Sequence, residues 1–196
     1  NMPRAPPRAP HGSGSVRLVP DKLMQLAVRA NVGVDQLAAA VERTGLEGPD
    51  AAKAVNNWLN GRDHPRCKSQ DVARLAEAVG ASSKDIARFE SRVRFTRGST
   101  RKVRLVADMI RGKNARKAEI ALAYSPKRAA VSIRKALLAA MTDARIADAD
   151  INSLVVTVSC VDEGPQIKRF RPKDRGRAHA IIKQTSHITV AVEEQA

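Results

Sequence analysis

Residues 154–192 read LVVTVSCVDEGPQIKRFRPKDRGRAHAIIKQTSHITVAV, two extended apolar runs around a cationic middle. Leu154, Val156, Val158 and Cys160 alternate with Val155, Thr157, Ser159 and Val161; on the return, Ile188, Val190 and Val192 alternate with Thr189, Ala191 and Glu193. A period of two belongs to strands, so the runs are expected to pair antiparallel, with 161–185 projecting as an extended hairpin. Between Gln166 and Lys183 stand seven cations, Lys168, Arg169, Arg171, Lys173, Arg175, Arg177 and Lys183, against the single acid Asp174.

Toward the N-terminus, Ser91 to Thr96 alternates again, with Val93 and Phe95 expected on a buried face and Arg92 and Arg94 on a cationic outer one. Ser99 is placed to cap a helix whose apolar stripe, Val103, Val106, Ala107 and Ile110, opposes Arg101, Arg104, Asp108 and Arg111, and Gly112 closes it. Asn114 to Tyr124 is a shorter Ala-rich helix. Ser125-Pro126 is then expected to open a long third helix, serine as cap and proline in its first turn, with the stripe Ala130, Ile133, Leu137, Ala140, Met141 and Ala144. Residues 90–196 therefore read as α+β: three helices on a small three-stranded antiparallel sheet with a long protruding β-hairpin.

Such a sheet buries the inner ends of the last two strands but not the further ten or so residues on each arm, which at ~3.3 Å per residue project roughly 30 Å. A two-stranded ribbon alone in water is marginal, and this one carries like charge. Surrounding phosphates would neutralise the cations and replace the missing core.

Residues 16–89 read differently, as an all-α, five-helix unit. Helical spacing recurs at Leu23, Leu26, Ala27 and Ala30 after Pro20; at Leu37, Ala38 and Val41; at Val55, Trp58 and Leu59 after Gly48-Pro49; at Val72, Leu75, Ala76 and Val79 before Gly80; and briefly at Ile86 and Phe89. Residues 1–15, with several prolines, read as a disordered basic tail; the opening stretch lacks the apolar centre of a secretory signal.

The charge follows this division. Residues 1–19 hold three cations and no acid, 20–88 ten against nine, and 89–196 the remaining 22 against 11, within a total of +15 and a pI near 10.7. A polyanion is the partner this balance demands, and the C-terminal half is where it binds. No apolar run approaches the ~18 residues that span a bilayer. Cys67 and Cys160 form neither a zinc-ligand cluster nor a disulfide framework and fit a reducing cytosol. His11, His64, His179 and His187 are scattered, no nucleophile–base or paired-carboxylate arrangement is visible, and Asp162-Glu163 before Gly164-Pro165 reads as a turn, so neither catalysis, cofactor, metal nor small-molecule substrate is expected.

The run Arg101-Lys-Val-Arg-Leu-Val-Ala-Asp-Met-Ile-Arg-Gly-Lys113, with Val161-Asp-Glu-Gly-Pro165, Gly176-Arg-Ala178 and Thr185-Ser-His-Ile-Thr-Val190 following in order, resembles the universal large-subunit ribosomal protein 22 family, bacterial type, over about Glu90 to Glu194. The resemblance implies a non-enzymatic structural constituent of the large subunit, cytoplasmic, that binds large-subunit rRNA and supports assembly. Its partners would be rRNA, neighbouring ribosomal proteins and the nascent polypeptide, with the hairpin tip in the wall of the peptide exit tunnel. Carried over by position, Arg92, Arg94, Arg97, Arg101, Lys102, Arg104, Arg111 and Lys113 would face rRNA from the body, with Lys127 and Arg128 on the long helix and Lys183, Thr185, Ser186 and His187 on the returning strand. Lys168, Arg169, Phe170, Arg171, Pro172, Lys173, Arg175, Gly176 and Arg177 would form the tunnel arm. Two positions depart from the family. Thr100 stands where proline is usual, and Asp174 enters the cationic tip, where it is expected to pair with Arg175 or Lys173.

In the N-terminal unit, Asp35 to Val41, Val55 to Arg62 and Leu75 to Gly80 resemble a repressor-type helix-turn-helix domain. The link from Glu42 to Pro49 is longer than the usual turn, and only Lys53, Asn56 and Asn57 stand out as readers, while Trp58 reads as a core anchor. This unit is expected to sit on the ribosome through rRNA or a neighbouring protein. The competing reading is a helix-turn-helix DNA-binding regulator that uses the basic half as a non-specific clamp.

Overall fold

The computed structural model describes residues 15–43 and 46–195. The expected tail over 1–15 lies outside them apart from Ser15. In chain order come β1 (Ser15–Leu18), α1 (Pro20–Ala30), α2 (Val34–Val41), α3 (Pro49–Leu59), α4 (Ser69–Val79) and α5 (Ser83–Ile86). They are followed by β2 (Ala87–Arg97), α6 (Thr100–Ile110), α7 (Ala115–Ala123), α8 (Arg128–Ile146), β3 (Leu154–Glu163), β4 (Ile167–Pro172), β5 (Ala178–Lys183) and β6 (Thr185–Glu194).

The sheet has four strands, ordered β1-β2-β6-β3 and antiparallel throughout, where three were expected. The added strand is β1, which pairs Leu18 with Ala87 and Ser15 with Glu90. Four residues are too few to show a period of two, and Pro20, which opens α1, dominated the local signal. Phe89, expected to follow Ile86 in a fifth helix, lies fully buried in β2 instead.

Helix α8 lies against β2 and β6, and α6 against β3. The expected stripe of α8 is buried from Ala130 to Ala144, and the stripes Leu37–Val41 in α2, Val55 and Trp58 in α3, and Val72–Val79 in α4 are buried as well. These residues and the inward face of the sheet form one continuous hydrophobic cluster, from Leu23 and Trp58 through Phe89 to Ile133 and Val190. Almost every member is Ala, Val, Leu or Ile, as a chain with 3% aromatic residues requires. Salt bridges from Lys22 and Arg88 to Glu193, and from Lys84 to Glu194, tie the helices to the end of β6.

Two β-bulges reset which side chains point inward. The β2–β6 register shifts between Val93 and Thr96, and Phe95, at φ 57°, is 59% exposed rather than buried as expected, while Val93 is half-buried. The β3–β6 register shifts between Val156 and Val158. Beyond it Ser159 and Val161 are buried, while Val158 is half-buried and Cys160 exposed, the reverse of simple alternation from Leu154.

Two helix starts also differ from expectation. Ser99 occupies the cap position of α6 without a side-chain bond; Thr100 Oγ1 instead donates to Glu163 Oε1 at 3.3 Å. Helix α8 begins at Arg128 with Lys127 as its cap, not at Ser125-Pro126, because the Ser125 amide still serves the exit of α7, donating to the Leu122 carbonyl at 3.3 Å.

Candidate nucleic-acid interface

Strands β4 and β5 form a separate two-stranded ribbon, paired from Ile167–Lys183 to Pro172–Ala178. All of β5 is exposed and all of β4 except the half-buried Ile167, so no core supports the arm. Its tip closes on Asp174 to Arg177: the Arg177 amide donates to the Asp174 carbonyl at 3.2 Å, and Lys173 N–H to the Arg177 carbonyl at 2.7 Å. Arg175 and Gly176, at φ 55° and 67°, make the left-handed bend that Gly176 suits.

The register sorts the ribbon into two faces, an asymmetry not read from the sequence. Arg169 and Arg171 share one face with Ile181 and His179, and Lys183 lies opposite Ile167 on that side. Lys168, Phe170 and Pro172 share the other with Ile182 and Ala180; Phe170 is 75% exposed. Asp174 forms no ion pair with Arg175 or Lys173 among the described residues, contrary to expectation; Lys173 Nζ lies 3.1 Å from His179 Nε2.

On the body, Arg94, Arg97, Arg101, Lys102, Lys113, Lys127 and Arg128 are exposed and, like the hairpin cations, have no carboxylate partner within 4.0 Å among the described residues. Arg101 and Lys102 occupy the first turn of α6, Lys127 and Arg128 the start of α8, and Arg94 and Arg97 the outer end of β2. Three expected cations are partly engaged inside the molecule. Arg104 Nε donates to the Val161 carbonyl at 3.2 Å, Arg111 Nη2 to the Ser159 carbonyl at 2.6 Å and to Asp108 at 2.8 Å, and Arg92 faces Asp162 at 3.8 Å. Arg104 and Arg111 thus stitch α6 to β3.

Thr185 and Ser186, expected to face rRNA, have sealed side chains, 5% and 0% exposed. Thr185 Oγ1 donates to the Pro165 carbonyl at 2.7 Å and Ser186 Oγ to that of Thr96 at 3.5 Å, so both hydroxyls fix the hairpin base. His187 is half-buried. Its Nδ1 accepts from the Phe95 amide at 3.1 Å, with the two rings edge to face at 4.9 Å, leaving Nε2 as the ring's donor. The Phe95–His187 pair was not legible in advance, because only the bulge brings it together.

This surface offers donors and positive charge, with Phe170 and Ile182 as exposed apolar side chains on the ribbon. Among the described residues no group of three or more His, Cys, Asp or Glu could hold a metal ion, and no helix is long and apolar enough to cross a membrane.

Comparison with protein-family models matches residues 91–193 to ribosomal protein L22p/L17e. The match covers more than half of the 196 residues, from Ser91 in β2 through α6, α7, α8 and the ribbon to Glu193 in β6. With that span carrying the sheet core, its three helices and the projecting arm, the chain belongs to the ribosomal protein L22p/L17e family, and β1 and α1 to α5 precede the matched region.

Proposed function

We propose that this protein is a structural component of the large ribosomal subunit that binds large-subunit rRNA, supports subunit assembly and lines the nascent-peptide exit tunnel with the tip of its hairpin. One observation carries the reading: the β4–β5 ribbon is exposed beyond Ile167, and none of its cations has a carboxylate partner among the described residues. Cations so arranged repel one another in water and are relieved by phosphates on several sides, with counterion release as the driving force. The exposed cations of α6, α8 and β2 seat the body on rRNA, and Phe170 with Pro172 faces the nascent polypeptide. Neighbouring ribosomal proteins complete the surroundings, in the cytoplasm. The helical unit over 16–89 rides on this domain as an extension.

Two measurements test the reading. Tagged full-length chain is expected to co-sediment with large subunits in a sucrose gradient. Replacing Lys168, Arg169, Arg171, Arg175 and Arg177 by Ser is expected to flatten the salt dependence of binding to transcribed large-subunit rRNA, by about 0.7 to 0.9 in log–log slope for each phosphate no longer neutralised. Free protein at the top of the gradient, or an unchanged slope, would overturn it.

A further inference from the structure

The loop joining α3 to α4, residues 61–68, lies outside the family-matched span and is built in an unusual way. Three successive carbonyls turn inward onto side-chain donors. Asn57 Nδ2 donates to the His64 carbonyl at 2.9 Å, Trp58 Nε1 to that of Pro65 at 2.6 Å, and Arg43 Nη2 to that of Arg66 at 3.4 Å. The nearby acids are engaged too: Asp63 Oδ1 accepts from the Cys67 amide at 3.0 Å and Oδ2 lies 3.7 Å from Arg17, while the buried Asp71 meets Arg43 at 3.2 Å. Besides Asp63, which is exposed but engaged, what faces out is Arg62, His64, Arg66 and Lys68, all exposed, with no carboxylate partner among the described residues.

We propose that this loop is a preformed contact for an RNA phosphate backbone, a second attachment point beyond the family-matched domain. The proposal rests on the reading that the chain sits on rRNA. A loop whose three carbonyls are withdrawn and whose exposed carboxylate, Asp63, is already engaged by Arg17 and the Cys67 amide shows an anion mainly donors and positive charge, and pays little ordering entropy on binding. A protein partner fits less well, because the patch lacks a hydrophobic anchor: Cys67 and Trp58 are buried and Pro65 is half-buried. A DNA major groove fits less well too. On α3, the helix that would enter it, Lys53 is paired with Asp50 at 3.1 Å and Asn57 is committed to His64, leaving no free cation on that helix.

The test uses the full chain and transcribed large-subunit rRNA. Arg62, Arg66 and Lys68 are changed together to Ser; their side chains have no intramolecular partner among the described residues, so the far-UV spectrum and urea midpoint should be kept. The salt slope should fall by about 2. In parallel, a photoreactive benzoylphenylalanine at position 64 should crosslink to RNA. An unchanged slope in the triple variant, or no RNA crosslink at position 64, overturns the inference while leaving the hairpin reading intact. Failure of the unaltered chain to bind rRNA overturns the proposed function itself.

Discussion

The Gly164 amide donates to the Thr185 carbonyl at 2.9 Å, and the two backbones approach so closely that a Cβ on Gly164 would overlap Thr185 Oγ1 and stand 3.1 Å from its carbonyl carbon. With Thr185 Oγ1 donating to Pro165, this forms the clasp where the hairpin leaves the sheet. Gly164→Ala is therefore expected to destabilise the fold by about 1–3 kcal/mol, as overpacking does. Thr185→Ala in the same chain should recover only part of this, because the clash with the Thr185 backbone remains. Urea denaturation of the single and double variants measures both effects; a neutral Gly164→Ala refutes the clasp.

Cys67 and Cys160 are both free and should behave oppositely. Burial pushes the Cys67 thiol from its ordinary 9.0 up to about 12, with Asp71 and Asp63 adding to the effect and Arg43 opposing it. A thiol reagent at pH 8 should label one thiol per folded chain, the exposed Cys160, and two in urea. Above pH 9 the unfolded thiol ionises while the folded one holds its proton, so this contribution is intact below pH 9 and lost as pH climbs toward 12. Cys67→Ala should remove that part of the alkaline decline in stability. Two reactive thiols in the folded chain would contradict the placement.

How much of this was legible follows from what a period can and cannot carry. The stripe of α8 is local, and its residues from Ala130 to Ala144 are buried as the spacing implies; the alternation on either side of the hairpin marks two strands but does not say which of its two sets faces inward. A bulge is set by the partner strand and leaves no local mark, so Phe95, Cys160 and Ser159 were misplaced or missed. The cations of the interface were visible as charges. That Arg104 and Arg111 reach strand carbonyls, and that the Thr185 and Ser186 hydroxyls are sealed, depends on partners 20 to 90 residues away in sequence.

Asp143, half-buried on α8, has one carboxylate oxygen, Oδ2, enclosed without a hydrogen-bond partner among the described residues, and burial raises its pKa above the ordinary 3.8. The unfolded carboxyl releases its proton near 3.8 and the folded one at higher pH. Its contribution to stability is thus fully present below pH 3.8 and is lost as pH rises through the folded value. At neutral pH the charge is a liability, placed moreover in the last turns of the helix, where the dipole disfavours an anion. Asp143→Asn should raise the urea midpoint at pH 7, with the gain shrinking toward zero below pH 3.8. A variant less stable at pH 7 would show that the carboxylate has a partner.

Trp58 is the only tryptophan in the chain, 3% exposed, and sits in the helical part, whereas far-UV circular dichroism reports every helix and strand. The helices do not form an island. β1 completes the sheet edge, Val19 N–H donates to the Ile86 carbonyl at 2.8 Å, Lys22 and Lys84 hold the end of β6, and the buried cluster runs unbroken from Leu23 to Phe89 and Val190. Pulling the helices away would expose the apolar side of β1 and leave Glu193, 8% exposed, with Arg88 as its one salt-bridge partner among the described residues. Unfolding should therefore be one cooperative event, with tryptophan emission and circular dichroism sharing a midpoint in urea. Trp58→Phe keeps the buried ring but strands the Pro65 carbonyl, at about 1–3 kcal/mol, and should lower the circular-dichroism midpoint of the whole chain. If the tryptophan signal moves first, with most of the circular dichroism intact, the helical part is an independent unit and the shared core is not what holds it.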